Sequence, residues 1–307
     1  MIFFSMLAAV ALEHMRPLRQ PLPHYREYAR AIRWLESKLD GGEYGHGVLA
    51  WSIAVIPLLA SVWLITWILG SIHPILVWAW NIGVLYITLG FKYFSNDAEA
   101  IARALRAGDI DAARGHLAHW LGGRRGADAQ LSENDIVRVT IEQIFSASLR
   151  QMFGVLFWFV VFAGAGPLGA VLYRATSILA RRWTHGTFGE WAREAFHVIN
   201  WIPARLTALT YAIAGDFEDA MYCWRTQAAA WPDREAGVVL AAGAGATGVQ
   251  LGMPLSVEGE LRDRPELGLN QIPEPDHIDS AVSMVWRGLT IWLVIGILLV
   301  IAGWAAA

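Results

Sequence analysis

The chain has 307 residues and is 55% hydrophobic but only 17% charged, with a mean hydropathy of +0.39; a soluble domain carries nearer a quarter charged residues. Its net charge of −3 excludes a globally basic nucleic-acid binder, and its single cysteine, Cys223, excludes a disulfide framework or a cysteine-based metal site. The missing charge sits in blocks. Segments 51–70, 74–91, 152–173 and 288–307 hold no Asp, Glu, Lys or Arg, and each is near the roughly 20 residues a helix needs to cross a bilayer core. Water is absent there, so the backbone must satisfy its own hydrogen bonds, and helices are predicted. The predicted fold class is therefore all-α: a polytopic membrane helix bundle of about five spans, a short N-terminal anchor, and two helical polar inserts at 92–150 and 216–287.

In chain order, residues 1–12 are apolar, lack a basic leader and run into Leu12-Glu13-His14, which predicts a retained anchor rather than a signal peptide. Residues 13–47 are Arg-rich, and Ala31, Leu35 and Leu39 at spacing four predict a short amphipathic helix at the surface. The spans 51–70 and 74–91, joined by Gly70-Ser71-Ile72-His73, form a helical hairpin. In the first insert, Asn96 and Glu99 read as a capping box opening a helix through Ile101 and Leu105. Gly108 ends that helix. Asp109 or Asp111 caps a second helix, with Ile110, Ala113, Leu117 and Leu121 on one face. Ser132-x-x-Asp135 opens a third, striped by Ile136, Val139 and Ile144. The segment 152–173 should kink or break at Gly164-Ala165-Gly166-Pro167. Segment 197–215 is less apolar and carries Pro203 and Arg205. The second insert is acidic, and a last span follows it.

Fourteen of the twenty-four Lys and Arg residues fall in 13–47 and 92–150, which places both on the cytoplasmic side. Strict alternation then puts 174–196 outside, in conflict with Arg174, Arg181, Arg182 and Arg193. Among individual residues, Arg205 lies within an apolar segment, where an ionisable group faces a protein interior or a polar cavity; the bland alternative is an arginine reaching the interface. Gly243-x-Gly245-x-x-Gly248 has the form of a dinucleotide fingerprint, with Val238-Val239-Leu240 as its strand. No adequate helix follows, so small-residue packing reads better. His116 and His119 share a helix face without an obvious carboxylate nearby in sequence, which favours a wet surface over a metal site. Arg124-Arg125 and Arg181-Arg182 read as solvated or lipid-facing charge.

The most specific string is Asn200-Trp201-Ile202-Pro203-Ala204-Arg205-Leu206-Thr207-Ala208. It resembles the N-x-I-P-A-R-L-T-A signature of the CobD/CbiB family, membrane proteins of the adenosylcobinamide-phosphate synthase step. Further similar runs follow the family's order: Gly108-Asp109 to Arg114, Leu156-Phe157-Trp158, Gly166-Pro167 to Ala175, and Ala242 to Gly252. Together they cover about residues 100–268. The resemblance implies attachment of an aminopropanol-type amine to a corrinoid carboxylate in a bacterial inner membrane. It also implies Mg²⁺ and ATP if that activity is retained. It points to Glu142 and Arg205 as candidate catalytic residues, and to Asn200, Pro203, Arg205 and Asp109 as candidate ligand-binding residues. The implied partners are the bilayer, a corrinoid or other small molecule, and a membrane protein.

The departures from the family pattern are systematic. Gly123-Arg124-Arg125 stands where members carry G-R-D, and Ser146-Ala147-x-x-Arg150-Gln151 stands where they carry E-N-x-x-D-G. Ser177 to Ala180 replaces N-T-L-D, Phe196-His197 replaces D-D, and Asp233 to Gly237 replaces S-P-N-A-G. Backbone-shaping glycines and prolines survive while carboxylates are lost, as in a degenerate active site. A second resemblance, to AmpE, shows the same erosion and implies the alternative of a non-catalytic protein in β-lactamase or envelope signalling.

Overall fold

The computed structural model describes residues 2–16, 23–122, 131–184, 186–257 and 260–305. Helices α1 (Ile2–Met15), α2 (Pro23–Leu39), α3 (Tyr44–Ile72) and α4 (Pro74–Thr88) are followed by α5 (Phe91–Arg106), α6 (Ile110–Trp120) and α7 (Glu133–Ser148). A π-helical turn, Leu149–Phe153, joins α7 to α8 (Gly154–Val161); α9 (Leu168–Arg182), α10 (Glu190–Ala214), α11 (Phe217–Gln227) and α12 (Arg234–Thr247) come next. Four short strands, β1 (Gln250–Leu251), β2 (Leu255–Val257), β3 (Glu260–Arg262) and β4 (Leu267–Gly268), precede the last helix, α13 (Pro275–Ala305). The all-α membrane-bundle class holds. Three helical runs among the described residues, Tyr44–Ile72, Glu133–Val161 and Pro275–Ala302, are long and apolar enough to cross a membrane, with shorter apolar helices at Ile2–Met15 and Pro74–Thr88. The chain divides into two compact units, 1–90 with 150–203 and 91–149 with 204–307.

In the first unit α3 and α4 form the predicted hairpin, with only His73 between them. Its Nδ1 accepts the Ile75 N–H at 3.2 Å, capping α4 just before Pro74 sets the first turn. Trp80 Nε1 donates to Thr66 Oγ1 at 3.1 Å, tying the two helices together. Helix α2 packs Ile32 and Leu35 onto Ala50, Ala54 and Val55 of α3 and Leu179 of α9. Ala31 is exposed, against expectation. The buried stripe is Tyr28, Ile32, Leu35 and Leu39, because a 3.6-residue period drifts away from strict fours and the larger Ile32 claims the core. The apolar stretch 152–173 does break where its small residues and proline predict. Helix α8 stops at Val161, a 3₁₀ turn spans Ala163–Ala165, and Gly166 takes φ +70°. Helix α9 then runs back along α8: a Cβ on Gly154 would strike the Tyr173 ring, and one on Gly169 would strike the Trp158 carbonyl. Arg174 Nη1 accordingly lies 3.5 Å from the carbonyl oxygen of Arg150, at the base of α8.

In the second unit α5 begins at Phe91, a turn earlier than the Asn96 capping box predicts. The buried aromatic pair Phe91–Phe94, with Trp286 edge-on to Phe91, fixes that start. Glu99 instead accepts from the Ser95 hydroxyl within the helix, at 3.1 Å. Other signals hold: Gly108 is left-handed at φ +73°, Asp109 caps α6, and Ser132 caps α7. The glycine-rich run lies inside α12, so Val238-Val239-Leu240 is helical rather than a strand. Gly243 admits the Phe145 ring and Gly245 the backbone of Asp219, while Gly248 ends the helix left-handed. The second insert is not wholly helical, because β1 pairs with β4 and β2 with β3, both antiparallel.

Candidate functional site

Glu142 lies on α7, buried among apolar residues. After α12 the chain turns back through Gly252 and Met253, both left-handed, at φ +76° and +68°. A side chain at Gly252 would collide with the Pro265 carbonyl, so glycine is required there. Met253 is the one non-glycine at positive φ among the described residues, a strained position that persists only when its surroundings hold it. Arg264 does the holding. Its Nη2 donates to the Gly252 carbonyl at 2.9 Å and its Nε to the Met253 carbonyl at 3.1 Å. Its guanidinium also sits 5.7 Å from the Trp231 ring centroid. The remaining Nη1 donates to Glu142 Oε2 at 2.7 Å, and the Gly252 N–H donates to Oε1 at 2.9 Å. Both carboxylate oxygens are thus engaged by N–H donors, and the pair fastens the 249–268 ribbon to α7. Sequence reasoning missed Arg264. The available signal was the run Arg262-Asp263-Arg264-Pro265-Glu266 in an acidic insert, and nothing in that pattern names which arginine pairs or with what.

Arg205 also finds an internal partner. On α10 its Nη1 lies 3.9 Å from Glu235 Oε1, a buried carboxylate in the first turn of α12. Glu235 falls within the segment that replaces the family's S-P-N-A-G. Asn200 is buried in the first unit, where its Oδ1 accepts from the Tyr173 hydroxyl at 2.7 Å. Pro203 is carried inside α10. Asp109 is exposed, and its Oδ1 accepts the Ala112 N–H at 2.9 Å, a local capping role. The structure therefore joins Glu142 to Arg264 and Arg205 to Glu235, seats Asn200 against Tyr173, and gives Asp109 to a helix end. His116 and His119 are exposed on α6 and do have a carboxylate facing them, Asp97 of α5. Burial raises the Asp97 carboxyl above its usual range, and the two imidazoles act in the opposite direction. Arg124, Arg125 and Glu258 lie outside the described residues.

The Mg²⁺ and ATP implied by the resemblance need hard oxygen ligands around the cation. The described residues do not fit them. Glu142 has both oxygens engaged by a guanidinium and an amide, Ser146 and Arg150 stand at lost carboxylate positions, and no group of three or more His, Cys, Asp or Glu side chains among the described residues is arranged to hold a metal.

Comparison with known proteins extends the resemblance to nearly the whole chain. The family described as "CobD/Cbib protein" matches residues 6–285. The cobalamin biosynthesis protein CobD of Stutzerimonas stutzeri is 35% identical over 315 residues, covering 100% of this chain and 99% of its own. CobD of Chromobacterium violaceum is 38% identical over 245 residues, covering 78% of this chain and 76% of its own. The cobalamin biosynthesis protein CbiB of Salmonella typhimurium is 28% identical over 261 residues, covering 81% and 79%. No solved structure matches. These comparisons give no support to the AmpE-like alternative. An apolar helical chain, matched from end to end and carrying the Asn200–Ala208 string, belongs to the CobD/CbiB family of cobalamin biosynthesis.

Proposed function

We propose that this protein binds a corrinoid in a bacterial inner membrane and that, by itself, it does not complete attachment of an aminopropanol-type amine to the corrinoid carboxylate. The observation that carries this reading is the fate of Glu142. The one carboxylate retained from the family's acidic run is held by Arg264 and the Gly252 amide rather than presented to a cation. Arg150 stands where the family supplies a further carboxylate, and a guanidinium there cannot serve as the oxygen ligand a hard cation needs. The natural arrangement for such a member is to work beside a second membrane protein that keeps the acidic motifs. Complementation of a strain lacking adenosylcobinamide-phosphate synthase decides the matter, with expression confirmed in the membrane fraction. We expect no growth on cobyric acid plus aminopropanol; growth dependent on this gene overturns the reading.

The return of α9 alongside α8 supports a topology in which 174–196 shares the side of 13–47, 92–150 and 216–287, with α10, one unbroken helix outside the set apolar enough to cross, staying on that side rather than forming the span expected over 197–215. That side is the cytoplasm, and the arrangement removes the conflict posed by Arg174, Arg181, Arg182 and Arg193. Reporter fusions at Gly122, Gly186 and Pro232 should all read cytoplasmic, and an external reading at any of them contradicts this arrangement.

A further inference from the structure

Within the first unit, the turn between α8 and α9 stops short of the membrane surface. Helix α9 has 15 residues, about 22 Å of rise against the roughly 30 Å of a hydrocarbon core. It runs antiparallel to α3. A Cβ built on Gly166 would lie 2.8 Å from Thr66 Cγ2 and 3.4 Å from Asn81 Oδ1, so the turn is level with Thr66 of α3 and Asn81 of α4. Further along, Val171 packs with Val62 and Val84, and Leu179 shares a cluster with Ala50, Ala54 and Val55. These contacts keep one register along both helices. Thr66 lies six residues before Ile72, the end of α3, so the α8–α9 tip stops about 9 Å short of the α3–α4 turn. It also stops inside the charge-free segment 51–70.

Backbone at that depth is not self-sufficient here. The 3₁₀ turn closes with Ala165 N–H donating to the Phe162 carbonyl at 2.8 Å, and the first bond of α9 runs from Val171 N–H to the Pro167 carbonyl at 3.2 Å. The amides of Leu168, Gly169 and Ala170 therefore precede any helical acceptor. Nor does protein enclose the tip, since Gly164 is exposed and Phe162 is 38% exposed. Irregular backbone is tolerated at membrane depth only where protein buries it or water lines it. Asn81 supplies a second, independent sign. It is 8% exposed, its Oδ1 has no hydrogen-bond partner among the described residues, and that oxygen faces the Gly166 turn. The neighbouring Thr66 hydroxyl is already engaged: it donates to the Val62 carbonyl and accepts from Trp80 Nε1.

We infer that α8 and α9 form a re-entrant hairpin whose tip is wetted from the external face, with Asn81 anchoring water against the Gly166 turn; this rests on the topology above, which keeps 174–196 in the cytoplasm. Water is the guest that the chemistry selects. It donates to Asn81 Oδ1 and to the open carbonyls at the end of α8, and it accepts from the first amides of α9. A lipid chain can do neither. The hairpin thus carries a polar pit into a leaflet where α3, at the same depth, turns apolar side chains to lipid.

The test is labelling of single cysteines with a membrane-impermeant maleimide, in the full chain carrying Cys223→Ala, on intact and on lysed spheroplasts. A thiol reacts as its thiolate, which forms in water and not in hydrocarbon. Gly164→Cys puts a thiol at the tip, where a Cβ meets open space. The register sets residue 68 opposite 164, so Ile68→Cys, on the exposed face of α3, is the control at equal depth. Ser71→Cys marks the external surface and Thr184→Cys the cytoplasmic one. In intact spheroplasts we expect Gly164→Cys to react within about tenfold of the Ser71→Cys rate, and Ile68→Cys at least about a hundredfold more slowly than Ser71→Cys. Adding Asn81→Leu should slow the tip by about three- to tenfold, since an apolar side chain gives water no anchor, whereas Asn81→Ser should stay near the parent rate. A tip as unreactive as Ile68→Cys, or reactive only after lysis, overturns the wetted pit while the topology stands. Equal slowing by Asn81→Leu and Asn81→Ser, or none by either, overturns the role of Asn81. Labelling of Thr184→Cys in intact spheroplasts contradicts the topology itself and takes this inference with it.

Discussion

Helix α3 and the run from α7 through α8 are alike in length, 29 residues each, but they live in different surroundings. In the most apolar 18-residue window, 22% of α3 is buried inside the protein, against 72% of the α7–α8 run. Helix α3 turns Ile53, Ile56, Trp63, Leu64 and Trp67 outward, as a helix solvated by lipid does. The other run is enclosed by protein and spends that enclosure on polar groups, with Arg138, Glu142, Ser146, Ser148 and Gln151 all buried along it. The difference shows where a membrane protein of this kind keeps its chemistry. A charge that lipid would reject is retained on the helical run that protein mostly encloses.

The comparison can be broken most directly at Glu142 and Arg264. Replacing either one by alanine strands the other's charge in a buried setting, at an expected cost of roughly 3–5 kcal/mol. The loss should be read as a fall in melting temperature of the detergent-solubilised protein. Exchanging both together for a neutral pair, Glu142→Gln with Arg264→Met, should lose much less than the sum of the single changes. If the single variants melt like the wild type, the clamp does not hold the ribbon. Apolar truncation sharpens the same contrast. Ile141→Ala on α7, at a side chain that is 0% exposed, should cost about 2–5 kcal/mol. Ile56→Ala on α3, at a side chain that is 58% exposed, should stay within about 0.5 kcal/mol. Equal losses at the two positions would mean that α3 is packed against protein after all.

The smallest expected effect lies outside the spans, at Asp97. Its folded-state carboxyl titrates above its ordinary value because burial disfavours the charge. The folded protein therefore holds that proton more tightly than the unfolded chain does. Stability contributed here is present at low pH and is lost as pH rises through the carboxylate range. Asp97→Asn should accordingly raise the melting temperature modestly at pH 7, and the gain should vanish near about pH 3, where the wild type is protonated as well. A gain that is the same at both pH values would assign the effect to packing rather than charge.

Much of the candidate site was legible in part. The Asn200–Ala208 string and the ordered matches around it pointed to the family, and Glu142 and Arg205 stood out in the sequence as polar residues in apolar stretches. Their partners were not legible. Arg264 and Glu235 stand 122 and 30 residues away along the chain, and helical periodicity relates only residues within a few turns. The capping box at Asn96 failed for a similar reason: packing of Phe91 and Phe94 extended α5 past a perfectly good local stop.

The sequence by itself determined the membrane-helix class, the hairpin at His73, the caps at Asp109 and Ser132, and the break at Gly164–Pro167. All of these follow from local physics: the length of charge-free runs, hydrogen bonds within one turn, and the missing N–H of proline. Tertiary structure alone decided that the second half of the broken segment folds back along the first, that Glu142 is clamped to the 249–268 ribbon, and that the glycine-rich run packs against the Phe145 ring and the Asp219 backbone. Each of those depends on which side chains meet across long sequence separations, and close packing settles that only when the whole core is assembled.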